Sequence, residues 1–277
     1  MLCDDCWRYH GELMKRMARL AITSLTLMSA LMWAQGDGSH GSGYLTAADM
    51  PDVARIVPPA PSTGDARFVA DMTIFRNTRS LEGSKRWSLA LSDDDVSLAG
   101  LFHAFRCALG LTLTRENAPN VAALIKRANI DSTTASRRLK DLYQHKRPFQ
   151  VVKGNVCLSP QGKAALESVP DYPSGHTAAS WESGLILAEL APDAASDLLA
   201  RARAFGQSRV VCGVHISSAV EAAWMTATVI FAAQNASPIF RADLEAARTE
   251  LAALRATSKT KPEGCALETE TLSSKAY

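Results

Sequence analysis

The chain has 277 residues, 47% of them hydrophobic and 21% charged, with a formal net charge of +2. That length holds one good-sized core or at most two small ones. The near-neutral balance is no basic footprint for nucleic acid, and beyond the N-terminal region no apolar run reaches the roughly 20 residues of a spanning helix. Residues 1–36 differ from the rest. Met14-Lys15-Arg16-Met17-Ala18-Arg19 is a basic start, Leu20 to Trp33 is an apolar run, and Ala34-Gln35-Gly36 offers small residues for cleavage. The segment reads as an upstream extension and a secretory signal peptide, with Met14 or Met17 as alternative starts. Cys3 and Cys6 form a CxxC with no second pair at zinc-site spacing.

Residues 37–65, rich in Gly, Ser and Pro, read as an extended N-terminal arm. From Ala66 the pattern is helical with little strand alternation, and helices are predicted at 66–78, 84–92, 94–108, 116–129, 133–146, 176–190, 193–206, 217–233 and 238–256. Ser92-Asp93-Asp94 and Ser237-Pro238 mark two of the starts. No repeat and no linker interrupts 66–256, so a single all-α domain is expected there, followed by a loose C-terminal tail at 257–277.

Three stretches carry chemistry. The first is Lys140 with Arg147-Pro148-Phe149; on one helix, residues seven apart return to nearly the same face, so both cations would reach one anion. Pro148 would end that helix. The second is Tyr172-Pro173-Ser174-Gly175-His176-Thr177, a turn running into a helix. A hydroxyl and free N–H groups at a helix start make an anion cradle, and Gly175 permits close approach of a ligand oxygen. The third is Ser208-Arg209 followed by His215, where the planar guanidinium of Arg209 matches two phosphate oxygens. Taken singly, each of these residues has an ordinary structural role: a surface cation, a helix cap or a buried histidine. Together they suit a phosphate dianion and its transfer to an imidazole.

These three blocks, in this order and spacing, resemble the signature of the type 2 phosphatidic acid phosphatase superfamily. Within it the chain is most similar to the bacterial class A nonspecific acid phosphatases, over about residues 45–255. The resemblance implies an all-α, single-domain helical bundle of the phosphatase/haloperoxidase type. It implies a metal-independent phosphomonoesterase, without cofactor, acting on small-molecule phosphate esters at acid pH. The expected roles are His215 as nucleophile, His176 as general acid and base, and Lys140, Arg147, Ser174, Gly175 and Arg209 as phosphate-binding groups. The family carries an Asp four residues after the last His, where it fixes the imidazole tautomer. Here that position is Ala219, and no carboxylate replaces it at helical spacing; Glu221 would point elsewhere, and Ser218 offers a weaker bond. By analogy with triads, turnover is expected to fall by about 10²–10⁴.

Four cysteines follow the signal, an even count that suggests disulfides in an exported chain. Three pairings are open to them. The proximity implied by the motif favours Cys157–Cys212, joining two active-site loops, and leaves Cys107–Cys265 to pin the tail; buried free thiols are the alternative. The expected location is periplasmic or secreted. No nucleic-acid partner and no stable membrane insertion after signal removal are expected, and homo-oligomerisation is open. Two further readings stand beside the phosphatase: a catalytically degenerate phosphate-binding homologue, and a vanadate-dependent haloperoxidase that uses the same oxyanion pocket.

Overall fold

Ser or Pro stands at most α-helix starts, and Gly at two helix ends, in the computed structural model, which describes residues 42–273 and 276–277. The extension, the signal and residues 37–41 of the arm lie outside the described residues. Among the described residues the regular structure is helical, with no strand. The helices are α1 (Ala66–Thr78), α2 (Lys85–Ser92), α3 (Leu98–Leu109), α4 (Pro119–Tyr143), α5 (Pro148–Val151), α6 (Pro160–Leu166), α7 (Gly175–Leu190), α8 (Ala195–Cys212), α9 (Ser217–Gln234), α10 (Pro238–Thr257) and α11 (Cys265–Ser273). Ser84, Ser97, Ser159, Ser174 and Ser237 each cap a helix by accepting a backbone N–H of the first turn. Gly110 and Gly213 end α3 and α8 in the left-handed conformation.

Residues 43–277 form one compact unit. Its centre is α7, which packs against α8 most extensively and also against α9 and α4. Both faces of α7 are therefore buried, from Thr177 and Ala178 through Ile186, Leu187 and Leu190. The main core gathers Leu101, Phe105, Leu124, Ile125, Leu187, Leu198 and Phe240 from α3, α4, α7, α8 and α10. A second cluster, with Leu139, Tyr172, Ile216 and Ala219, lies beneath the motif segments.

Several expectations are corrected. The two helices expected at 116–129 and 133–146 are one, α4. It runs through Asn129, Asp131 and Ser132, and the buried Asp131 carboxylate is satisfied in the interior by accepting from the backbone N–H of Tyr44 (2.8 Å) and from Gln234 Nε2 (2.9 Å). α4 stops at Tyr143 because Gln144 adopts the left-handed conformation. Lys140 and Arg147 are therefore not on one helix. Pro148 opens α5 instead of ending a helix, and Arg147 before it is extended. From residue 42 the arm is irregular apart from a short 3₁₀ turn at Val53–Arg55, yet it buries Tyr44, Val53 and Val57. The tail is not loose throughout: it contains α11, attached by the Cys107–Cys265 disulfide. The second disulfide joins Cys157 to Cys212. No helix among the described residues is long and apolar enough to cross a membrane.

Candidate active site

Each motif segment sits at an element boundary, where backbone groups are unpaired and side chains can converge. Lys140 lies in the last turn of α4 and Arg147 caps α5. Ser174, Gly175 and His176 start α7 after a cis Tyr172–Pro173 bond, Arg209 is in the last turn of α8, and His215 is in the turn between α8 and α9. The α8–α9 turn is tight because Gly213 is left-handed (φ 81°), which lets the N–H groups of Val214 and His215 reach back to the Arg209 carbonyl at 3.2 and 3.3 Å.

The structure brings the two histidines and two of the cations together. Arg147 Nη1 lies 3.3 Å from His215 Nε2. The same guanidinium is anchored by donating to the carbonyls of Val169 (2.9 Å) and Val214 (2.6 Å). Arg209 is fully buried; it donates to the Asp93 carbonyl (3.3 Å) and to Asp94 Oδ1 (2.6 Å), and its Nε has no hydrogen-bond partner. His176 Nε2 lies 3.1 Å from the Asp94 carbonyl oxygen. That contact assigns the ring hydrogen to Nε2 in the neutral form. Burial, then the charges of Arg209, His215 and Arg147, hold the His176 pKa well below the usual imidazole range. For His215, burial and the neighbouring Arg147 push the pKa down to about 3 against the opposing pull of Asp171.

The other predicted groups are placed differently. Lys140 Nζ faces the loop before α7, donating to the carbonyls of Pro170 and Asp171, the latter at 3.2 Å. Burial lowers its pKa to about 8, with Asp171 opposing and Arg147 adding. Ser174 is buried, and its Oγ accepts from the N–H of Thr177 (3.3 Å) and from Thr177 Oγ1 (2.9 Å), as a helix cap does. A side chain added at Gly175 would meet no protein atom within 4 Å beyond its chain neighbours, so the start of α7 is open on that side. Ala219 is buried and its carbonyl accepts from the N–H of Ser174 at 3.0 Å. Among the described residues, no group of three His, Cys, Asp or Glu side chains converges as metal ligands.

The expectation that His215 lacks an acid partner is corrected. Its Nδ1 lies 2.6 Å from Asp171 Oδ1, although the carboxylate comes from the α7 approach loop and not from α9. Sequence reasoning searched forward from His215 at helical spacing and so passed over an acid 44 residues upstream. It also passed over His145, whose Nδ1 is 3.5 Å from Asp171 Oδ2, and Asp94, which meets both Arg209 and His176. The only available signal was adjacency: Asp171 directly precedes Tyr172-Pro173-Ser174.

The PAP2 superfamily profile matches residues 121–238, which contain every predicted catalytic and phosphate-binding residue. An acid phosphatase of Zymomonas mobilis is 39% identical over 202 residues, covering 73% of this chain and 76% of the relative. The chain belongs to the PAP2 superfamily, among its acid phosphatases. Two further relatives in this PAP2 group are named non-specific acid phosphatases. That of Providencia stuartii is 33% identical, over 76% of this chain and 86% of its own length. That of Salmonella typhimurium is 32% identical, over 70% and 78%.

Proposed function

We propose that this PAP2-superfamily chain is an exported acid phosphatase that hydrolyses phosphate monoesters through a phosphohistidine on His215. The observation that carries the reading is the 3.3 Å approach of Arg147 to Nε2 of His215, with His176 near enough to feel the charges of Arg147, Arg209 and His215. In the first step Nε2 of His215 attacks phosphorus while the bond to the ester oxygen breaks, and His176 protonates the leaving oxygen. In the second, His176 takes a proton from water, the water oxygen attacks phosphorus, and the P–N bond returns its electron pair to the imidazole. Arg147 and Arg209 clamp the non-bridging oxygens, the Ser174 hydroxyl and Gly175 N–H donate to them, and Lys140 adds positive charge behind the loop. Two disulfides fit an oxidising compartment.

The electrostatics give a sign for pH. Burial first, and then the neighbouring cations, hold His176 neutral; a phosphate dianion would offset the cations, so a bound substrate raises the His176 pKa toward the protonated form needed for the first step. Activity then falls as pH rises and that proton is lost. The reading as a binder without turnover drew on the absence of an acid beside His215, and Asp171 occupies that place.

The test is hydrolysis of p-nitrophenyl phosphate by the purified mature chain, with and without EDTA. Turnover on the acid side of neutrality, unchanged by EDTA, is expected. Acid-labile, base-stable phosphate should be recovered on His215, and His215→Ala should lower kcat by at least about 10³. Turnover by His215→Ala close to that of the parent would reject the covalent route.

A further inference from the structure

We propose that Asp171 is the positioning acid of this site: it replaces the carboxylate expected at position 219, holds the His215 ring with Nδ1 protonated and Nε2 unprotonated, and is itself paired with His145. The proposal rests on the reading of His215 as nucleophile. The geometry explains how the carboxylate changes chain segment without changing its target. The N–H of Ser174 donates to the Ala219 carbonyl at 3.0 Å, so the loop carrying Asp171 lies against the start of the helix carrying position 219. A carboxylate from either segment can therefore approach the same edge of the ring. The Asp171 Oδ1 to His215 Nδ1 distance of 2.6 Å is that of a charge-assisted bond, and the carboxylate is fully buried.

An alternative is that Asp171 is simply the ion-pair partner of the nearby cations. The hydrogen bonds oppose this. Arg147 directs its donors to the Val169 and Val214 carbonyls, and Lys140 reaches the backbone oxygens of Pro170 and Asp171, not the Asp171 carboxylate. The side chains that face the carboxylate are the two imidazoles. His145 has an oxygen near each ring nitrogen: Pro61 O is 3.1 Å from Nε2, and Asp171 Oδ2 is 3.5 Å from Nδ1, an ion-pair distance and not a hydrogen bond. A neutral imidazole would turn one bare nitrogen lone pair toward an oxygen, whereas an imidazolium turns an N–H toward each. The pKa directions agree. Burial lowers that of His145, but Asp171 outweighs it and the net shift is upward; the Asp171 carboxyl is held down at about 2 by the two imidazoles against burial. The buried anion is thus compensated from its outer side, leaving its inner oxygen to fix His215.

The experiment compares kcat and KM for p-nitrophenyl phosphate among the parent, D171N, A219D and the D171N/A219D double variant, with ¹⁵N NMR of the His215 ring in each. D171N is expected to lower kcat by about 10²–10⁴, as loss of the triad acid does, with KM changed less than about threefold. A219D should add nothing to the parent but recover at least tenfold in the D171N background, which a merely structural role would not produce. The parent spectrum should show Nδ1 protonated, and D171N should lose that preference. A D171N kcat within threefold of the parent overturns the assignment. So does a loss that A219D leaves uncorrected while the tautomer stays as in the parent. Should D171N not fold, the parent spectrum decides alone, an unprotonated Nδ1 overturning the proposal. A parent without turnover rejects the phosphatase reading, and the ring tautomer still reports on Asp171.

Discussion

Arg201, Ser208 and Arg209 lie on α8 at spacings that return to one face after two turns, and the two acids that precede α3 meet them there. Asp93 accepts from Arg201 Nη2 and from Ser208 Oγ, each at 2.6 Å, while Asp94 accepts from Arg209 at 2.6 Å. Buried guanidinium groups are tolerable only with such partners. In the sequence, Ser92-Asp93-Asp94 resembles a helix start, yet α2 ends at Ser92, Asp93 caps that end, and Ser97 caps α3. The motif cations were legible because their spacing is local. Their counterions were not, because burial makes a pair from residues over a hundred positions apart. Glu182 is the extreme case. It is fully buried on α7, and burial, with Asp131 nearby, pushes its carboxyl up to about 8. A folded pKa raised above the unfolded value of 4.5 stabilises the fold fully below that value, and the contribution is lost as pH rises toward about 8. The Glu182 contribution to the melting temperature should therefore decline between pH 5 and pH 8, against the rise that buried, neutral His176 and His215 contribute below about 6.5. Glu182→Gln, neutral at both, should flatten the decline and raise Tm at pH 8 by roughly 3–6 °C, as read by calorimetry. Parallel pH profiles for the two proteins would mean that Glu182 is not the group responsible.

At the scale of elements, the close approach of α7 and α8 sets the site. A Cβ added at Gly184 would fall 2.6 Å from the Cβ of Ala202, so only glycine lets the two backbones come this near. α7 carries Ser174-Gly175-His176 at its start and α8 carries Arg209 at its end, so their packing fixes the separation of the two blocks. Gly184→Val should cost about 1–3 kcal/mol by overpacking, measured by urea unfolding, despite the helix-propensity gain over glycine. An unchanged midpoint would show that the contact can relax. The helices themselves were readable from apolar spacing and Ser caps, α1 and α10 nearly to the residue. The continuity of α4 was not, and the donors that satisfy Asp131 within it, on Tyr44 and Gln234, lie far away in the chain.

For the whole molecule, the two disulfides differ in what they hold. Cys157–Cys212 joins the segment before α6 to the end of α8, beside a backbone bond from Cys157 N–H to the Cys212 carbonyl of 2.9 Å, close to Arg209 and His215. Cys107–Cys265 spans 158 residues and ties α11 to α3, where Glu268 also approaches Arg201 at 3.4 Å. Replacing either pair by serines should destabilise the fold by about 2–5 kcal/mol in urea. Only the Cys157/Cys212 replacement should also lower kcat; an equal fall in kcat for both would deny the first pair its local role. By itself the sequence determined the helical class, the order of the three motif blocks and the two histidines and two arginines that come together, since periodicity, caps and short spacings are local properties. Only the tertiary structure decided that Lys140 and Arg147 lie on separate elements, that Asp171 and not a residue of α9 meets His215, and that a buried acid sits within α7. Those are questions of which distant segments pack together, and packing of the whole core answers them.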